Sequence, residues 1–107
     1  MKSARHADRV QFRENVTYEI DGVGMTGLIS DISEVGLFLE TLSPADRGTL
    51  LVLSFALGGR TIAVEGRVAH SMPYMGMGIE FTKLPAEGRA AIRELVGRLS
   101  APVPSLA

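Results

Sequence analysis

Apolar and polar residues alternate along much of the chain with a period of two. Over residues 12–20, Val16, Tyr18 and Ile20 alternate with Asn15, Thr17 and Glu19, which predicts a strand with one buried face. Asp21-Gly22 opens a turn and Gly24 helps close it. Residues 25–32 form the second predicted strand, and Gly27 in its interior is expected to mark a bulge or a tight bend. Residues 36–41 form the third. The nearly unbroken apolar run over residues 50–57 predicts a central, well-buried strand. Gly58-Gly59 is a two-residue hairpin signal. Alternation resumes over residues 60–70, with Ile62, Val64, Gly66 and Val68 on one face and Ala63, Glu65 and Arg67 on the other. A turn containing Pro73 precedes a last strand at residues 77–81. Six short antiparallel strands predict a small closed barrel, because closure removes exposed edges.

From Pro85 the period becomes helical. Leu84, Ile92, Leu95, Val96 and Leu99 fall on one stripe, with Arg89, Arg93, Glu94 and Arg98 largely elsewhere. Pro85 suits a first turn. Gly88 and Gly97 each cost about 1 kcal/mol relative to Ala, so the helix depends on docking. The stripe is expected to plug a barrel mouth; a dimer contact is the alternative. The fold class is thus all-β with one added helix: a six-stranded antiparallel barrel, a C-terminal α-helix and an N-terminal arm. Residues 1–11 lack hydrophobic periodicity and are expected to form a flexible arm. Residues 12–100 form the barrel domain with its helix, and 101–107, with Pro102 and Pro104, a disordered tail.

A length of 107 residues with 46% hydrophobic content fits one domain with a modest core. The absence of cysteine excludes disulfides and thiolate metal sites. His6 and His70 lie far apart in sequence, so no metal is expected. No apolar run approaches the ~18–20 residues of a membrane span, and the first residues are polar, so the expected location is cytoplasmic. Net charge is −1, but Lys2, Arg5, Arg9 and Arg13 stand against Asp8 alone in the first thirteen residues. A basic arm on an acidic body suits capture of a small anion and argues against long nucleic acid, which needs a broad basic face.

Chemistry concentrates in two short motifs. Arg5 and Arg9 place two guanidiniums four residues apart in the arm. Downstream, Asp31-Ile32-Ser33-Glu34-Val35-Gly36 is a polar turn between two β-prone segments. In extended chain Asp31 and Ser33 leave on the same face. Gly36 permits positive φ or close approach by another group. On these residues alone, Asp31 and Ser33 could equally form a turn that stabilises the corner.

Arg5-xxx-Arg9 followed by Asp31-x-Ser33-xx-Gly36, with Gly78-Ile79-Glu80-Phe81 near the end of the strands and a terminal amphipathic helix, resembles the PilZ domain, the bacterial receptor module for cyclic di-GMP. The resemblance covers nearly the whole chain. It implies that Arg5 and Arg9 clamp phosphate and the guanine Hoogsteen edge, that Asp31 and Ser33 take polar groups of the ligand, and that Gly36 keeps the corner tight. Arg13 is a further contact or a structural salt bridge. His70 stacks on a guanine or is a strand-end histidine, and Gly78 is a further candidate contact. The chemistry is consistent: a planar guanidinium binds phosphate bidentately and pairs with guanine O6 and N7. A carboxylate complements the guanine N1–H and N2 donors, which adenine lacks. Ala4 stands where many members carry a further arginine.

The implied function is a single-domain receptor that binds cyclic di-GMP without a cofactor and signals to a partner protein by ordering its arm, in motility or biofilm control. No DNA, RNA or membrane insertion is expected. The alternative is an adaptor that binds no nucleotide and acts by protein–protein contact in pilus or flagellar control. Asp31, Ser33 and His70 supply the letters of a hydrolytic triad, but no nucleophile elbow, phosphate loop or metal set accompanies them, so no enzyme is expected. An RNA-binding barrel would need exposed aromatics on adjacent strands, and two Tyr, four Phe and no Trp, mostly in core phase, do not supply them.

Overall fold

A computed structural model of the protein describes residues 8–100. Six strands, β1 (Val10–Ile20), β2 (Val23–Ile32), β3 (Gly36–Glu40), β4 (Leu50–Leu57), β5 (Arg60–Met72) and β6 (Gly76–Lys83), precede one helix, α1 (Ala86–Ser100). The strands close into an antiparallel barrel in the order β1-β2-β3-β6-β5-β4. Asp21 and Gly22 (φ 53° and 80°) and Gly58 and Gly59 (φ 60° and 81°) adopt the left-handed backbone that two-residue hairpins require. Most of the expected arm, including Arg5, and the expected tail lie outside the described residues. Val10 and Gln11, placed in the arm from sequence, instead belong to β1, with Val10 buried.

Alternation holds in β1 and β5, where Val16, Tyr18, Ile62, Val64 and Val68 point into the barrel. It also holds in β4, which corrects the expectation of a strand covered on both faces. Leu51, Leu53, Phe55 and Leu57 are buried, while Leu50 and Val52 are 66% and 50% exposed. An antiparallel barrel offers one interior, so a strand has one core face whatever its composition.

Gly27 pairs in regular register with Val16 and marks no bulge. A Cβ there would lie 2.7 Å from Leu39 Cδ2, so the glycine makes room for that core leucine. The bulge sits three residues later. Ile29 pairs with Leu39 and Asp31 with Phe38, leaving Ser30 as the extra residue. A second bulge makes Ala69 extra in β5, between Val68 opposite Ile79 and His70 opposite Gly78.

Helix α1 closes one mouth of the barrel with Ile92, Leu95 and Val96, all buried. Leu99, expected on the same stripe, is 52% exposed, so the docked face ends with Leu95 and Val96. Ion pairs Arg60–Glu87 and Arg93–Glu34, both 3.0 Å, tie the helix to the start of β5 and to the β2–β3 corner. The two helix glycines differ. A Cβ on Gly88 would lie 2.9 Å from the Ile62 Cγ2 methyl, whereas one on Gly97 would meet nothing within 4 Å. Gly97→Ala should therefore stabilise the protein by about 1 kcal/mol, while Gly88→Ala should forfeit that gain. Urea denaturation of both variants checks this; equal gains would show that the helix start is not pressed on the barrel.

Candidate functional site

The Ser30 bulge decides where Asp31 points. Ile29 and Ile32 are both fully buried although three residues apart, which strict alternation forbids. The extra residue shifts the phase and turns the Asp31 carboxylate to the surface, 31% exposed. Gln11 pairs with Asp31 across β1 and β2, so Arg9, just ahead of β1, arrives beside it. The Arg9 guanidinium donates a hydrogen bond to the Asp31 carboxylate. Two motif residues 22 apart in sequence thus form one ion pair.

Ser33 does not share that surface. Strand β2 ends at Ile32, so the same-face relation expected of Asp31 and Ser33 does not carry past it. Ser33 is 1% exposed. Its backbone N–H donates to the Gly36 carbonyl at 2.8 Å, and its hydroxyl accepts the Val35 N–H at 3.1 Å and lies 3.4 Å from the same carbonyl. Ser33 thus braces the corner, the alternative that the sequence left open. Gly36 is required for close approach rather than for positive φ: a Cβ would sit 2.1 Å from the Ile79 carbonyl oxygen. The Phe81 N–H donates to the Val35 carbonyl at 2.9 Å and clamps the corner to β6.

On the outer face of β5 and β6, His70 pairs with Gly78. A Cβ on Gly78 would lie 2.6 Å from the imidazole, so the ring lies over a strand backbone left bare by glycine. The Ala69 bulge brings His70 outward, since Val68 before it is buried. A cavity of about 420 Å³ opens between these parts, with Arg9, Gly36, His70, Gly78, Glu80 and Arg89 in its wall. Asp31 and Ser33 do not line this cavity; Asp31 reaches its edge through the ion pair with Arg9, which does. Arg13 is directed elsewhere, to Glu40 at 3.6 Å, which favours the salt-bridge alternative.

Sequence reasoning missed three charged groups here. Glu34, inside the corner motif, accepts two hydrogen bonds from Arg93, at 3.2 and 3.0 Å. That hydrogen bond, with the carboxylate's charge, raises the Arg93 pKa above its usual value. Glu80 pairs with Arg67 at 3.1 Å. Arg89 reaches the cavity from α1. The only signal for it was the Arg89–Arg93 spacing of one helical turn, which shows that the two share a face but not what that face meets. Among the described residues, no cluster of His, Asp or Glu could hold a metal ion. No described helix is long and apolar enough to cross a membrane.

Comparison with curated proteins finds no match. Among solved structures, the chain is similar to the Bacillus subtilis inhibitor of motility MotI/DgrA, at 20% identity and TM-score 0.78, over 91% of this chain and 51% of that one. The chain thus spans about half the length of MotI. It is also similar to the PilZ domain of CeSA from a cellulose-synthesizing bacterium (21% identity, TM-score 0.68, 88% and 99% covered). A third is the PilZ domain of YcgR from Escherichia coli, solved with c-di-GMP (12% identity, TM-score 0.70, 92% of both chains). At these identities the likenesses establish the fold. The sequence model of the PilZ domain matches residues 3–98, and the chain therefore belongs to the PilZ domain family.

Proposed function

We propose that this protein is a receptor for cyclic di-GMP and that the ligand binds in the cavity bounded by Arg9, Gly36, His70 and Gly78. The observation that carries the proposal is the meeting of Arg9 and Asp31 at the edge of that cavity. Their exposed ion pair is worth only about 0–1 kcal/mol, so a ligand can recruit either group at little cost. Arg9 then offers its fork to a phosphate or to guanine O6 and N7. Asp31, an acceptor, suits the guanine N1–H and N2 amine. His70 presents an imidazole for base stacking, close against the bare Cα of Gly78. Arg5, four residues ahead of Arg9, is assigned to the same clamp.

Ser33 and Gly36 act by shaping the corner. Ordering of the arm over the bound ligand is the proposed signal to a partner protein, at an entropic cost drawn from the binding energy. The YcgR domain's capture with c-di-GMP and MotI's role as an inhibitor of motility support this ligand and motility control as its outlet.

Isothermal titration of the full chain with cyclic di-GMP is the test. Saturable binding that weakens with added salt is expected, because the phosphate contacts are ionic. Absence of binding would overturn the proposal in favour of the adaptor reading; salt-insensitive binding would remove the arginine clamp from it.

A further inference from the structure

We infer that Arg89, in the first turn of α1, is a ligand-contacting residue that grips the anionic part of the ligand from the helix, while Arg9 reaches it from the start of β1. The inference rests on the reading of the cavity as a cyclic di-GMP site and adds a residue outside both sequence motifs.

Four charged side chains line the cavity: Arg9, Glu34, Glu80 and Arg89. Three already have partners. Arg9 is held by Asp31, Glu34 by Arg93 and Glu80 by Arg67. Among the described residues the Arg89 guanidinium makes no hydrogen bond or ion pair. An anion entering the cavity therefore meets one uncompensated charge, and it is that of Arg89. A guanidinium suits phosphate because its N–H groups match two oxygens at once.

The helix is held where Arg89 can serve. One turn on, Arg93 is fastened to Glu34 through Nε and Nη2, so the face that carries both arginines is turned to the β2–β3 corner. One residue before, Gly88 is buried and its bare Cα lets the first turn settle against Ile62. Glu87 is drawn the other way, to Arg60. The Arg89 backbone N–H is satisfied by the Pro85 carbonyl at 2.9 Å, so the residue is fixed in the helix. Only its side chain remains uncommitted. A bound nucleotide would then bridge α1 and the strands.

Titration of cyclic di-GMP into the wild-type chain, Arg89→Ala, Arg89→Lys and Arg98→Ala tests this. Arg98 is also an exposed helix arginine but does not line the cavity. Arg89→Ala should bind roughly tenfold more weakly, as expected for loss of one charged hydrogen-bonding partner. Its thermal midpoint should be unchanged, since the side chain has no partner to lose. Arg89→Lys should recover only part of the affinity, because the charge returns without the fork. Arg98→Ala should bind as wild type does. Wild-type binding with an unaffected Arg89→Ala overturns this inference alone. Equal losses in Arg89→Ala and Arg98→Ala would reduce it to a general field and overturn it too. Failure of the wild-type chain to bind overturns both this inference and the reading it rests on.

Discussion

Arg9→Ala should bind cyclic di-GMP about 10- to 100-fold more weakly than wild type, because a charge-assisted hydrogen bond contributes roughly 1.5–3 kcal/mol. Its folding stability should hardly change. The Arg9 side chain is 48% exposed, and an exposed pair such as Arg9–Asp31 contributes about 1 kcal/mol at most. Titration calorimetry and urea denaturation on one preparation separate the two effects. Arg9→Lys sharpens the test. If the fork matters, lysine restores stability and charge but not affinity. Unchanged affinity in Arg9→Ala would place the ligand elsewhere, whatever the family.

Gly36→Ala should have the largest structural effect. The added methyl would sit 2.1 Å from the Ile79 carbonyl oxygen and 3.2 Å from its carbonyl carbon, both backbone atoms of the neighbouring strand. No rotamer change relieves that contact. The pairing of Gly36 with Glu80 must open, and with it the turn braced by Ser33. A loss of about 3 kcal/mol or more is expected, in the range of overpacking with a backbone shift. Nucleotide binding should fail with it. Gly24→Ala is the control, because a Cβ there meets nothing within 4 Å. Guanidinium denaturation of both variants decides the matter; a loss under about 1 kcal/mol in Gly36→Ala would mean that the corner is looser than its geometry implies.

The chain by itself determined a good deal. Alternation in β1 and β5, turn residues at Asp21-Gly22 and Gly58-Gly59, and the switch to a helical period after Pro85 follow from local rules of chirality and side-chain direction, which act within a few residues. Those rules yield the number of strands, their antiparallel order and the terminal helix. The spacing of Arg9, Asp31, Ser33 and Gly36 was also readable, and with it the family. Tertiary structure decided which way those residues face. Bulges at Ser30 and Ala69 shift the phase and turn Asp31 and His70 outward, while the end of β2 at Ile32 lets Ser33 turn inward. The exposed face of β4 and the delivery of Arg89 to the cavity depend likewise on what the barrel and the docked helix meet. Periodicity counts residues along one strand, whereas register and bulges are settled between strands, by which pairing fills the interior without stranding a polar group.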